Sequence, residues 1–153
     1  MGIAILLHVV AAAIWVGGMF FAYMVLRPVA AAQLEPPARL TLWDGVFSNF
    51  FPWVWISIGT ILVTGLWVIF SVYGGFKTTP LHVHAMFGSG IIMMLLFFYV
   101  YFAPYRRLKG AVAGADWPTG GQALGQIRML VGINTLIGLL TLAIGAGGRY
   151  LIG

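Results

Sequence analysis

The chain contains three histidines, His8, His82 and His84, and each lies inside or at the head of a long apolar run. An imidazole is costly in hydrocarbon unless it has a partner, so histidines on separate membrane helices mark a functional site by default. The simplest partner that two neutral imidazoles can share is a metal, and haem is its most natural carrier here. At about 1.5 Å per helical residue, His8 lies roughly 9 Å below the outer surface if its helix enters at Gly2, and His84 roughly 6 Å below if its helix enters at Pro80. Two nearly level rings suit a haem b near the outer face, with one axial ligand from each helix.

The neighbours of these histidines have the sizes a flat ligand needs. Ala4, Ala11, Ala12 and Trp15 share the face of His8, where alanines leave room and an indole packs a macrocycle edge. Gly88 lies one turn below His84 and lets the backbone approach a ligand. Arg149, near the outer end of the last run, reaches either a haem propionate or the lipid headgroups. His82 and His84 are two residues apart and so point about 200° away from each other on a helix. We read His84 as the inward ligand and His82 as an interfacial group or alternative ligand. An unwound H-x-H grips copper instead, and Met19, Met86, Met93 and Met94 offer soft donors, which keeps a copper reading open. Methionine in an apolar helix is more often filler.

The elements that must hold these residues follow from composition. The chain has 153 residues, 61% hydrophobic and 7% charged, which excludes a soluble globule with an ordinary surface. Apolar runs near 3–27, 50–73, 81–104 and 127–152 are each long enough to cross a hydrocarbon core, and none alternates like a barrel strand. The expected fold is an all-α integral membrane protein, an antiparallel bundle of four transmembrane helices forming one domain over 1–153. No basic residue precedes the first run, which is also too long for a signal core. The absence of cysteine excludes disulfides, thiolate metal sites, iron–sulfur clusters and covalent haem attachment.

Between the runs, Glu35-Pro36-Pro37 breaks the chain, and Leu40, Trp43 and Phe47 then predict a short interfacial helix. Tyr73 to Pro80 reads as a tight turn in which Thr79 caps a helix starting at Pro80. Residues 106–126, rich in glycine, read as a loop with Trp117 at the interface. Ser57, Thr60, Thr64, Trp67 and Ser71 form a polar stripe, Asn134 is placed to bond across the bundle, and Gly138 and Gly145 mark a close-packing seam. All three acids, Glu35, Asp44 and Asp116, fall in connections, so no buried carboxylate serves a proton relay. Hydrolytic and nucleotide-driven chemistry lack their motifs.

The net charge of +5 is not a nucleic-acid signal, because the basic residues gather at the ends of the apolar runs. Arg27, Arg39, Arg106, Arg107, Lys109 and Arg128 fall on one side, against Lys77 and Arg149 on the other. The positive-inside rule then places the first and third connections in the cytoplasm and both termini in the periplasm of a bacterial inner membrane. The lipid bilayer is the constant partner. A quinone or a periplasmic redox protein would complete a haem redox role, and helices rich in small residues allow a homo-oligomer.

The stretch Leu7 to Phe20 reads H-x6-W-x-G-G through His8, Trp15, Gly17 and Gly18. This resembles the opening helix of the CopD-type copper-resistance membrane domain and of the related HemJ-type membrane proteins. Four spans, a histidine at the start of the third, and an aromatic third helix ending in basic residues are similar too. The CopD resemblance implies copper handling on the outer side, and the HemJ resemblance implies haem binding with porphyrinogen oxidation. Together with the residues above, the expectation is a haem b redox protein acting in electron transfer or as a haem-dependent membrane oxidoreductase. The alternative is a copper-binding or copper-transport module.

Overall fold

Backbone amides that cannot reach water must bond within their own segment, and the apolar runs satisfy this as helices. The computed structural model describes residues 1–152, and among them there is no strand. The elements are α1 (Gly2–Phe20), a π-helical stretch (Phe21–Leu26), α2 (Arg27–Gln33), α3 (Pro36–Ser71), a 3-10 turn (Phe76–Thr78), α4 (Leu81–Phe102), α5 (Pro104–Ala113) and α6 (Trp117–Leu151). Four stretches are long and apolar enough to cross a membrane: Gly2–Gln33, Pro36–Ser71, Leu81–Ala113 and Trp117–Leu151. The protein is therefore a multi-pass membrane protein built as the expected antiparallel four-helix bundle, and its exposed Ile3, Val63, Leu95 and Leu136 belong against lipid.

Three connections differ from the expectation. The interfacial helix at Leu40 is not separate, because α3 runs unbroken from Pro36 through Pro52 to Ser71. The reason is packing: Trp43, Phe47 and Phe51 are buried at helical spacing, and Phe47 stacks on Phe51 at 5.0 Å, so the same face continues into the core. Residues 106–126 are not a loop but α5, a tight turn and the first turns of α6. Asp116 accepts from the Thr119 amide at 3.3 Å and Pro118 sits in the first turn, so these residues start a helix. Thr79 does not cap α4; its hydroxyl donates to the Gly75 carbonyl at 2.8 Å and Pro80 occupies the cap position. That turn depends on glycine, since Gly74 and Gly75 have φ of 76° and 124°.

The first span also runs on to Gln33 through its π-helical stretch. Pro28 lacks an amide proton and its ring crowds the carbonyl one turn back, and widening the turn ahead of it absorbs both effects. The core is aromatic and lies toward the basic end of the bundle. Phe51 meets Phe97 edge-on at 5.2 Å and Tyr105 at 4.8 Å, while Trp55 stacks on Phe98 at 5.2 Å. Tyr105 and Ser48 share a hydrogen bond of 2.9 Å, and Lys109 pairs with Asp44 at 3.5 Å, tying α5 to α3.

The Gly17-Gly18 pair gives a direct test of this packing. A methyl on Gly18 runs into the Phe50 ring, whereas one on Gly17 meets nothing within 4 Å. Gly18→Ala should destabilise the protein by about 1–3 kcal/mol, as overpacking does, and Gly17→Ala should not. Thermal unfolding in detergent checks this, and the double variant Gly18→Ala/Phe50→Leu should recover most of the loss.

Candidate functional site

All three histidines lie at the end of the bundle where α1 and α4 begin and α3 and α6 finish. His8 is half-buried, and its Nδ1 lies 2.9 Å from the Thr64 hydroxyl of α3. Thr64 has one proton, which it donates to the Thr60 carbonyl at 2.6 Å. The Thr64 oxygen therefore accepts from His8, and in the neutral ring this places the proton on Nδ1 and leaves the Nε2 lone pair open. The ring also lies over Gly65, where an added Cβ would sit 3.5 Å from His8 Cε1. An imidazole oriented through one nitrogen with the other unprotonated is the arrangement metal-ligating histidines adopt.

His84 is exposed, and its Nε2 donates to the Phe76 carbonyl at 2.9 Å, fixing the ring against the α3–α4 connection. His82 is half-buried and turned toward α6, where a Cβ on Gly148 would lie 2.8 Å from the His82 Cβ. The inward and outward roles read from the sequence are thus exchanged: His82 faces the bundle and His84 faces out. The cause is packing: the face of α4 that carries His82, Met86 and Met93 is the one set against the α6 glycines. His8 and His84 direct their hydrogen bonds to different elements, α3 and the connection after it, and no contact brings them onto a common partner.

The remaining expected site residues are placed as follows. Trp15 is buried and meets Phe97 edge-on at 6.5 Å, which makes it part of the aromatic core two turns below His8. Ala12 is half-buried on the same helix. Gly88 is exposed, and an added Cβ there meets nothing within 4 Å, so it lines no close approach. Arg149 is exposed and its guanidinium lies 5.0 Å from the Tyr150 ring, in the snorkelling arrangement. Among the described residues, no group of three or more histidine, cysteine, aspartate or glutamate side chains is gathered to hold a metal ion.

What the sequence reading set aside as filler is better organised. Along the α4–α6 seam, a Cβ on Gly145 would sit 2.9 Å from Met86 Cε and one on Gly138 would sit 3.1 Å from Met93 Cε. His82, Met86 and Met93 of α4 thus lie in a row against Gly148, Gly145 and Gly138 of α6. Between the two methionines, Ser89 and Thr141 share a hydrogen bond of 2.7 Å, and Thr141 also lies 4.0 Å from the Met93 sulfur. Asn134 closes the row as expected, donating to the Met93 carbonyl at 3.2 Å across the bundle. Its Oδ1 has no partner among the described residues and adjoins a cavity of about 20 Å³, room for a single water. The signal was legible: residues 86 and 93 repeat at seven, as do 138 and 145, and antiparallel helices bring two such repeats into register.

Residues 44–147 match the family described as copper resistance protein D, CopD. The match spans more than half of the chain, which belongs to this family. No curated protein and no solved structure matches it. The matched stretch begins within α3 and holds α4, α5 and most of α6, so it includes His82, His84, Met86 and Met93, whereas His8 and Trp15 precede it.

The bond from His8 to Thr64 yields an expected outcome of its own. Thr64→Val keeps the shape and removes the acceptor, and interhelical hydrogen bonds in membranes are worth about 0.6 kcal/mol on average and up to about 1.7. Stability should fall within that range. In histidine-labelled protein the nitrogen resonances of His8 should move while those of His84, bonded elsewhere, stay in place.

Proposed function

We propose that the protein binds copper, as Cu(I), along the α4–α6 seam, and serves as a copper-binding or copper-passing module of the membrane. The observation that carries this reading is the row of His82, Met86 and Met93 against three glycines. Thioethers are soft donors that select Cu(I), His82 one turn from Met86 adds an imidazole, Met93 offers a second position further along the row, and none of these donors carries a charge into lipid. Glycine opposite each donor brings the α6 backbone close against the donor side chains. Copper here is cargo, held by neutral groups from which it can leave.

Membership of the copper resistance family supports copper over haem b, which neither the fold nor the comparisons support. The three imidazoles gathered at one end would form the entrance, with His8 presenting Nε2 and His84 the outermost ring. By the charge asymmetry of the connections this end faces the periplasm of a bacterial inner membrane, with both termini on that side and 1–153 acting as one unit. Electron exchange with a quinone or a periplasmic protein is not part of this reading.

The test separates sulfur chemistry from packing. Met86→Leu and Met93→Leu conserve volume, so each should leave thermal stability within about 1.5 kcal/mol of wild type. Each should weaken Cu(I) binding at least about tenfold, or about 1.4 kcal/mol, in competition with a chromophoric chelator. Cu(I) affinity unchanged in the double variant would overturn the proposal. A reduced b-type absorption spectrum on adding haem, lost in both His8→Ala and His84→Ala, would overturn it in favour of haem.

A further inference from the structure

At the opposite end of the bundle from the histidines, the π-helical stretch, α2, α3 and α6 line a cavity of about 330 Å³. This is within the range of small-molecule sites. Its inner wall is apolar and aromatic, with Leu40, Trp43, Phe47 and Ile127 all buried. Its rim carries Arg27, Arg39 and Arg128. The acids that could neutralise them are engaged or distant: Asp44 pairs with Lys109, Asp116 caps α6, and no ion pair joins Glu35 to any of the three arginines. Arg27 donates through Nε to the Tyr23 carbonyl and stacks 4.5 Å over the Tyr23 ring, and Arg39 donates to the Leu34 carbonyl at 3.1 Å. These bonds hold two of the forks in place and leave most of their N–H groups free to meet an anion.

Three arginines around an apolar recess, at the level where α1 leaves its hydrophobic run, match one ligand chemistry: an anionic headgroup attached to an apolar chain. We propose that this cavity binds an anionic phospholipid, its phosphate among Arg27, Arg39 and Arg128 and the upper part of an acyl chain against Trp43 and Phe47. A lipid is favoured over a soluble anion because the wall behind the arginines is mainly hydrocarbon and rings, with Leu40, Phe47, Leu124, Ile127 and Val131 among them. Basic pockets between membrane helices bind anionic headgroups by this combination of guanidinium forks and apolar wall. The site does not involve the copper seam, so either assignment stands without the other.

The test is native mass spectrometry of the full chain after incubation in detergent with phosphatidylglycerol or with phosphatidylcholine of the same acyl chains. One phosphatidylglycerol should be retained per chain, at least about tenfold over phosphatidylcholine. Retention should be lost in Arg39→Gln/Arg128→Gln and kept in Arg106→Gln/Arg107→Gln, which removes equal charge from the same end outside the cavity. Gly125→Leu keeps every arginine and fills the recess from a lining position where a Cβ meets nothing within 4 Å, so it should fold and also lose the lipid. Equal loss in Arg106→Gln/Arg107→Gln, or undiminished binding in Gly125→Leu, would overturn the proposal. So would inorganic phosphate displacing the lipid at millimolar concentration, which would mark the site as one for a soluble anion.

Discussion

The structure depends on how closely α6 approaches its neighbours. Lipid tails are as apolar as leucine, so no hydrophobic force drives these helices together, and contact area must come from van der Waals packing. Glycine supplies it. On α6, a Cβ at Gly132 would strike the Tyr23 ring at 2.8 Å, one at Gly138 would strike Val16 at 2.9 Å, and Gly145 and Gly148 admit Met86 and His82. α6 can therefore lie against α1 and α4 at once. The groups that carry chemistry are brought into line by what α6 lacks.

Close approach also explains why the two ends of the bundle differ in kind. Toward the histidine end the contacts are small and polar, with glycines, Ser89 to Thr141 and His8 to Thr64. In the lower half, rings take over: Trp15, Phe47, Phe51, Phe97 and Tyr105 interlock from four helices, α1, α3, α4 and α5. Such a cluster is stiff and leaves a void of only about 20 Å³ among its members. The polar row of the α4–α6 seam ends at Asn134 and Met93, directly against it. The imidazole end and the arginine-lined cavity thus lie at opposite ends of the bundle, with the aromatic cluster between them.

Much of this was legible in the sequence, and the failures have definite causes. Helix number, direction and the apolar runs follow from the cost of an unpaired amide in lipid, which no tertiary detail overrides. The cross-bundle bond of Asn134 was readable for the same reason. Local signals misled where packing outweighs them: Leu40, Trp43 and Phe47 read as a separate short helix and glycine-rich 106–126 as a loop, yet buried rings in the first and Gly120 in the second favour helix. At Gly120 a Cβ would sit 3.1 Å from Leu40 and 3.4 Å from Ala111, so that glycine serves helix contact. The orientation of His82 and His84 turned on which face of α4 packs against the α6 glycines, a tertiary contact that local capping signals do not specify. The basic cavity was invisible because Arg27, Arg39 and Arg128 are far apart in sequence and each alone reads as an orientation signal.

The reach of the family match bears on which histidine matters most. It covers 44–147, and within it stand His82, Met86, Met93, Gly138 and Gly145, whereas His8 and the H-x6-W-x-G-G pattern lie before it. In the reading proposed above, the copper donors His82, Met86 and Met93 all fall on α4, inside the matched stretch. His8 lies to the side of that row, against α3. Its proton is committed to Thr64 of α3, inside the matched stretch, and that bond leaves Nε2 unprotonated beside Gly65. In that reading the first helix adds a donor at the entrance, whereas Trp15 of the same helix is a buried wall of the aromatic layer below.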